Sequence, residues 1–120
     1  MHSKPTISII DDDGEVRSSL TSLLRSAGYR VRSFDGATAF LADGSSDNAC
    51  LLTDLHMPGM DGLDLQTELH RRGSAVPVIL MTAFPTEEAR TRAMKSGAAA
   101  FLTKPLDPDL LLDKLKALLG

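Results

Sequence analysis

Ile7-Ser8-Ile9-Ile10-Asp11-Asp12-Asp13 opens the chain with a short β-branched run that stops abruptly at acids. It reads as a buried strand whose carboxyl end carries polar groups. Just downstream the period changes. Val16, Leu20, Leu23, Leu24 and Ala27 recur at helical spacing, and Gly28 ends the pattern as a C-terminal glycine does. The same strand-then-helix alternation continues outward from this pair. Tyr29–Phe34 predicts a second strand and Ala37–Leu41 a short helix, followed by loop chemistry from Asp43 to Asn48. Ala49–Thr53 predicts a third strand, again running into an aspartate, Asp54, and Leu65 and Leu69 mark the helix before Gly73.

Pro77 precedes a fourth strand, Val78–Thr82. A helix then starts near Pro85 and Thr86, with Glu87 and Glu88 at its positive end and Arg90, Arg92 and Lys95 further along. Phe101–Thr103 predicts a fifth strand. Asp107 caps a last helix with Pro108 in its first turn and a stripe of Leu111, Leu115 and Leu118 or Leu119. Five strand–helix pairs with apolar strands imply one α/β domain over residues 1–120, a parallel sheet doubly wound by five helices.

Composition agrees. The 120 residues are 42% hydrophobic and 24% charged, which excludes disorder and leaves enough apolar material for one core. One cysteine, Cys50, rules out an intrachain disulfide and a cysteine metal site, suits a reducing cytoplasm, and reads as a buried small hydrophobe. A net charge of −3 argues against direct nucleic-acid binding or an anionic membrane surface. No apolar run approaches the ~20 residues of a bilayer span, and Met1-His2-Ser3-Lys4-Pro5 leaves no room for a signal peptide. His2 and His70 read as exposed.

In open parallel sheets ligands bind beyond the carboxyl ends of the strands. That rule gathers Asp11 and Asp12 from the first strand, Asp54 from the third, Thr82 from the fourth and Lys104 just past the fifth. Crowded carboxylates repel one another, and a divalent cation with oxygen ligands is the usual remedy; Mg²⁺ fits because it accepts carboxylates, water and phosphate together. A carboxylate can attack phosphorus to give an aspartyl-phosphate, while a lysine and a threonine hydroxyl meet the phosphoryl oxygens. Read alone, Asp11-Asp12-Asp13 serves equally as a solvated turn and helix cap, with Asp13 the capping residue.

Ile10-Asp11-Asp12, the string Leu52-Thr53-Asp54-Leu55-His56-Met57-Pro58-Gly59-Met60-Asp61-Gly62, Met81-Thr82-Ala83 and Thr103-Lys104-Pro105 together resemble the receiver domain of two-component response regulators, of FixJ/NarL type. The resemblance covers essentially the whole chain. It implies a flavodoxin-like fold with strand order 2-1-3-4-5. It implies that Asp54 is the phosphoacceptor, Asp11 and Asp12 the acidic metal pair for Mg²⁺ or Mn²⁺, and the His56 backbone carbonyl a further metal ligand. Thr82 matches the switch hydroxyl, Lys104 the phosphate-binding lysine ahead of a cis proline, Pro105, and Phe101 the switch aromatic. The implied partner is a sensor histidine kinase. The implied output is a change in the face made by the fourth helix, fifth strand and last helix, which promotes dimerisation and controls a DNA-binding domain. Gly120 follows the last helix directly, so no output domain is expected within the 120 residues. Such a domain is not an enzyme beyond promoting its own phosphotransfer and slow self-dephosphorylation. Phe101 is expected to turn inward once Thr82 moves toward the phosphoryl group. His56 and Phe84, each two residues past a pocket residue, are expected to overhang the site.

One rival belongs to another class. Asp11-Asp12-Asp13-Gly14-Glu15-Val16 also fits the D-x-D-G-x-V opening of haloacid-dehalogenase-like phosphatases, with Asp11 as nucleophile and Asp13 as acid/base. That reading leaves the loop around Asp54 without a role.

Overall fold

The computed structural model describes residues 4–45 and 47–120; His2 and Ser46 lie outside them. The elements alternate as β1 (Thr6–Ile10), α1 (Gly14–Ser26), β2 (Arg30–Phe34), α2 (Ala37–Asp43), β3 (Asn48–Asp54), α3 (Gly62–Arg71), β4 (Val78–Thr82), α4 (Glu87–Lys95), β5 (Ala100–Thr103) and α5 (Pro108–Leu119). All strand pairs are parallel and the sheet runs β2-β1-β3-β4-β5, the order anticipated above.

Side chains of a strand alternate between faces, and the two cores follow that alternation. Ile7 and Ile9, Cys50 and Leu52, and Ile79 and Met81 pack with Leu20 and Leu24 of α1 and Leu111 and Leu115 of α5. Ile10, Leu51 and Leu80 point the other way, toward Phe40 of α2, Leu65 and Leu69 of α3 and Ala93 of α4. Helices on both faces explain why β1 and β4 are buried along their whole length. Cys50 is buried as expected, and burial pushes its thiol up to about 12, which leaves it an inert packing group. Among the described residues no helix is long and apolar enough to cross a membrane.

Several boundaries differ from the sequence reading, and β1, β3 and β5 each start one residue earlier, at Thr6, Asn48 and Ala100. Tyr29 belongs to the turn, because its N–H donates to the Leu24 carbonyl at the end of α1 (3.0 Å), so β2 begins at Arg30. The second helix extends to Asp43, and β3 includes Asp54 itself. On α5 the stripe ends with Leu119 against the core, while Leu118 is 38% exposed.

The register puts the chemistry at one edge. Ile10, one residue before Asp11, pairs with Thr53; Asp54 pairs with Met81; Thr82 pairs with Thr103, one residue before Lys104. The functional candidates therefore leave the sheet side by side.

Candidate functional site

Asp11 follows β1 and is completely buried, yet every polar group it carries is engaged. Its N–H donates to the Phe34 carbonyl (3.1 Å) and its own carbonyl accepts from Arg17 Nη1 (2.7 Å). One carboxylate oxygen accepts the Asp13 N–H (2.9 Å) and the other accepts Lys104 Nζ (2.7 Å). Asp12 is exposed at the mouth of the site. Asp13 turns away: its carboxylate accepts the N–H groups of Glu15 (2.9 Å) and Val16 (3.4 Å) and caps α1.

Asp54 ends β3 and is 6% exposed. Lys104 Nζ lies 3.3 Å from its Oδ1, so one ammonium bridges the two buried carboxylates. Burial first, then the neighbouring Asp11 charge, raises the Asp54 carboxyl above its ordinary value, against the pull of Lys104 and the His56 N–H. At Lys104 burial acts to lower the pKa, but hydrogen bonding and charge from Asp11, then Asp54, outweigh it and the ammonium is held more firmly. The Lys104 N–H donates to the Thr82 carbonyl (2.8 Å), and the Lys104–Pro105 bond is cis. Thr82 is fully buried, and its hydroxyl accepts the Phe84 N–H (3.0 Å).

Carboxylate oxygens of Asp11, Asp12 and Asp54 come within 4.8 Å of one another. Three hard oxygen donors this close suit a divalent cation of the Mg²⁺ type, and no nitrogen or sulfur ligand joins them in the cluster. His56 is exposed and its ring instead faces Phe84 edge-on, with centroids 6.4 Å apart, so the two expected rim residues meet each other.

Phe101 differs from expectation. Its ring is already inside, at 8% exposure, in the cluster that holds Leu80, Ala93 and Ala98. Ala93 and Ala98 are its small neighbours in that cluster.

Residues 7–116 match the response regulator receiver domain. The chain belongs to that family. It is 44% identical over 115 residues to the transcriptional regulatory protein FixJ of Azorhizobium caulinodans, covering 95% of this chain and 54% of that protein. Among solved structures it resembles FixJ-N (31% identity, TM-score 0.87, covering 98% of this chain and 94% of that one). It shares its fold with the Vibrio cholerae chemotaxis protein CheY4 (23% identity, TM-score 0.90, 98% and 100% covered). The chain spans about half the length of the curated relatives it matches. Receiver domains are signalling domains that work with histidine kinases. Membership, together with the capping role of Asp13, removes the phosphatase reading: the residue it needs as acid/base is committed to α1.

Two residues of this site carry no signal that the spacing rules weigh. Arg17 reads as an ordinary polar position on α1, and Gly62 as one letter of a motif. In space Arg17 grips the Asp11 carbonyl, and Gly62 is the point where α3 touches β3: a Cβ there would sit 2.6 Å from the Asp54 carbonyl oxygen. The capping box of Asp61 and Asp64 starts α3 at that contact.

Proposed function

We propose that this receiver domain is a phosphorylation-dependent switch whose acceptor is Asp54. The observation that carries the reading is the trio of carboxylates at the carboxyl edge of the sheet, two of them, Asp11 and Asp54, bridged by Lys104. An Asp54 carboxylate oxygen attacks the phosphorus of a phosphohistidine on a sensor kinase. The P–O bond forms, the P–N bond breaks, and the electron pair leaves with the imidazole. Asp11, Asp12, Asp54 and the His56 carbonyl would hold Mg²⁺ or Mn²⁺, which would supply positive charge to the phosphoryl oxygens. Lys104 pairs with those oxygens, and the Thr82 hydroxyl donates to one of them.

The readout is the face formed by α4, β5 and α5. α4 fully buries only Ala93, so it is weakly anchored and free to shift. A groove of about 330 Å³ on this face is lined by Arg90, Met94, Phe101, Leu110 and Lys114, with Met94 45% and Leu110 47% exposed. Phosphorylation acts on this face as a two-state change worth a few kcal/mol. The products are a phosphorylation-promoted homodimer and control of a DNA-binding output carried by the rest of a FixJ-like protein in the cytoplasm. The domain turns over nothing beyond its own slow dephosphorylation.

Acetyl phosphate with Mg²⁺ tests the acceptor. The domain should gain one acid-stable, hydroxylamine-labile phosphoryl group that Asp54→Asn abolishes. Labelling that survives Asp54→Asn and disappears in Asp11→Asn would overturn the assignment. Sedimentation with beryllofluoride should show dimers that Met94→Asp or Leu110→Asp prevents; a monomer under full modification would refute this face as the dimer surface.

A further inference from the structure

Asp12 is the least supported member of the carboxylate trio. It is exposed, and among the described residues no hydrogen bond reaches its carboxylate. Its direction therefore depends on its backbone. A peptide unit is planar, so fixing the units on both sides of a Cα fixes φ, ψ and the line of the Cα–Cβ bond. The unit after Asp12 is held by the Asp13 N–H, which donates to the Asp11 carboxylate (2.9 Å). The unit before it is held by the Asp11 carbonyl, which accepts from Arg17 Nη1 (2.7 Å).

Arg17 sits in an unusual place for this task. It lies near the start of α1, where the helix dipole is positive and a cation is disfavoured. The half-buried guanidinium folds back over the helix start, and a Cβ on Gly14 would lie 3.4 Å from its Nη2. The short charge-assisted bond to the Asp11 carbonyl is the interaction that offsets this placement.

We infer that Arg17 is a positioning residue for the metal site: it locks the Asp11–Asp12 peptide and so aims the Asp12 carboxylate at Asp11 and Asp54. This rests on the reading of the trio as a Mg²⁺ site. The two roles open to a nearby guanidinium have opposite signs. A bare positive charge repels Mg²⁺, so its removal tightens binding. A clamp organises a ligand, so its removal weakens binding, and loss of an outer-shell partner of this kind costs about tenfold in metal affinity.

The experiment is a calorimetric Mg²⁺ titration of the unphosphorylated domain as wild type, Arg17→Met and Arg17→Gln. Met keeps the apolar stem without the donor, and Gln is too short to reach the carbonyl. Either variant that folds should bind Mg²⁺ about tenfold more weakly while its circular dichroism stays that of wild type. Equal or tighter binding overturns the inference. A second readout needs no metal: in ¹⁵N-labelled protein, the Asp12 and Asp13 amide signals should broaden or move in the variants, and unchanged signals also overturn it. If the wild type binds no Mg²⁺, the reading of the trio fails, while the amide comparison still decides the clamp.

Discussion

Gly62→Ala measures how closely α3 is pressed against the strand that carries the phosphoacceptor. The added Cβ would lie 2.6 Å from the Asp54 carbonyl oxygen, 2.8 Å from Leu80 Cδ2 and 3.1 Å from Leu55 Cα. The first gap is about 0.8 Å short of ordinary van der Waals contact, and two of the three neighbours are backbone that cannot rotate away. Leu80 is fully buried and has nowhere to retreat. Backing α3 off would stretch the Gly62 N–H bond to the Leu55 carbonyl, now 2.9 Å. Overpacking of this kind costs about 1–3 kcal/mol, whereas alanine regains at most about 1 kcal/mol of helix propensity. The clash wins, for a net loss of about 1 kcal/mol in urea unfolding. Because the strain falls on Asp54, labelling by acetyl phosphate should slow at least tenfold, since misplacement by about 1 Å costs up to 10²-fold. A variant that unfolds at the wild-type urea midpoint would refute the close approach.

The carboxylates should respond individually in the same unfolding assay. Asp12→Asn relieves repulsion without breaking a bond and should stabilise by about 0.5 kcal/mol, whereas Asp11→Ala leaves Lys104 with Asp54 alone and strands the Asp13 N–H, and should cost about 2–3 kcal/mol; equal effects would contradict their different burial. Lys104→Met leaves Asp11 and Asp54 uncompensated and should cost about 3 kcal/mol at pH 7. Asp54, its pKa raised in the folded state, contributes stability below the ordinary carboxylate range that is lost as pH rises through its folded value. The deficit of the variant should therefore shrink toward pH 4, and a pH-independent deficit would refute the pairing. The wild-type lysine, raised in turn, contributes stability that is present below its ordinary 10.5 and lost only as pH rises past its folded value. Phe84→Ala should shorten the phosphorylated lifetime a few-fold by opening the rim to in-line water. His56→Ala should act in the same direction by removing the ring that packs on Phe84, and decay curves identical to wild type would sink both.

The fold was legible because β1 and β3 advertise their ends: apolar runs that stop at Asp11 and Asp54 need no distant information. α1, α4 and α5 announce themselves through the caps Asp13, Thr86 and Asp107, each of which accepts N–H groups of the following turn. Tyr29 misled because an aromatic beside Arg30 and Val31 has strand character, while its N–H is claimed by Leu24. Leu118 and Leu119 could not be separated because the last turn of a helix drifts around the stripe. The sheet-edge rule gathers Asp11, Asp12, Asp54 and Lys104, which lie together in the structure, but not their partners. The bond from Lys104 to Asp11 joins residues 93 apart in the chain, and the grip of Arg17 depends on how a flexible side chain folds back. No local pattern encodes either.

Under the proposed function, the asymmetry of the lysine bridge separates the roles of the two buried aspartates. Asp11 holds Lys104 at 2.7 Å and also accepts a backbone N–H, one on each carboxylate oxygen. Asp54 meets the same ammonium only at 3.3 Å, and its carboxyl is raised by burial and by the charge of Asp11. The less encumbered carboxylate is the better placed nucleophile, which supports the proposal that Asp54 attacks while Asp11 balances charge. Making Asp11 the nucleophile instead would require the attacking oxygen to give up either the lysine or the Asp13 N–H that shapes the loop. The backbone of the same lysine is tied to β4 through its N–H bond to the Thr82 carbonyl, so a shift of the ammonium under the proposed phosphorylation would be felt at the β4–β5 edge.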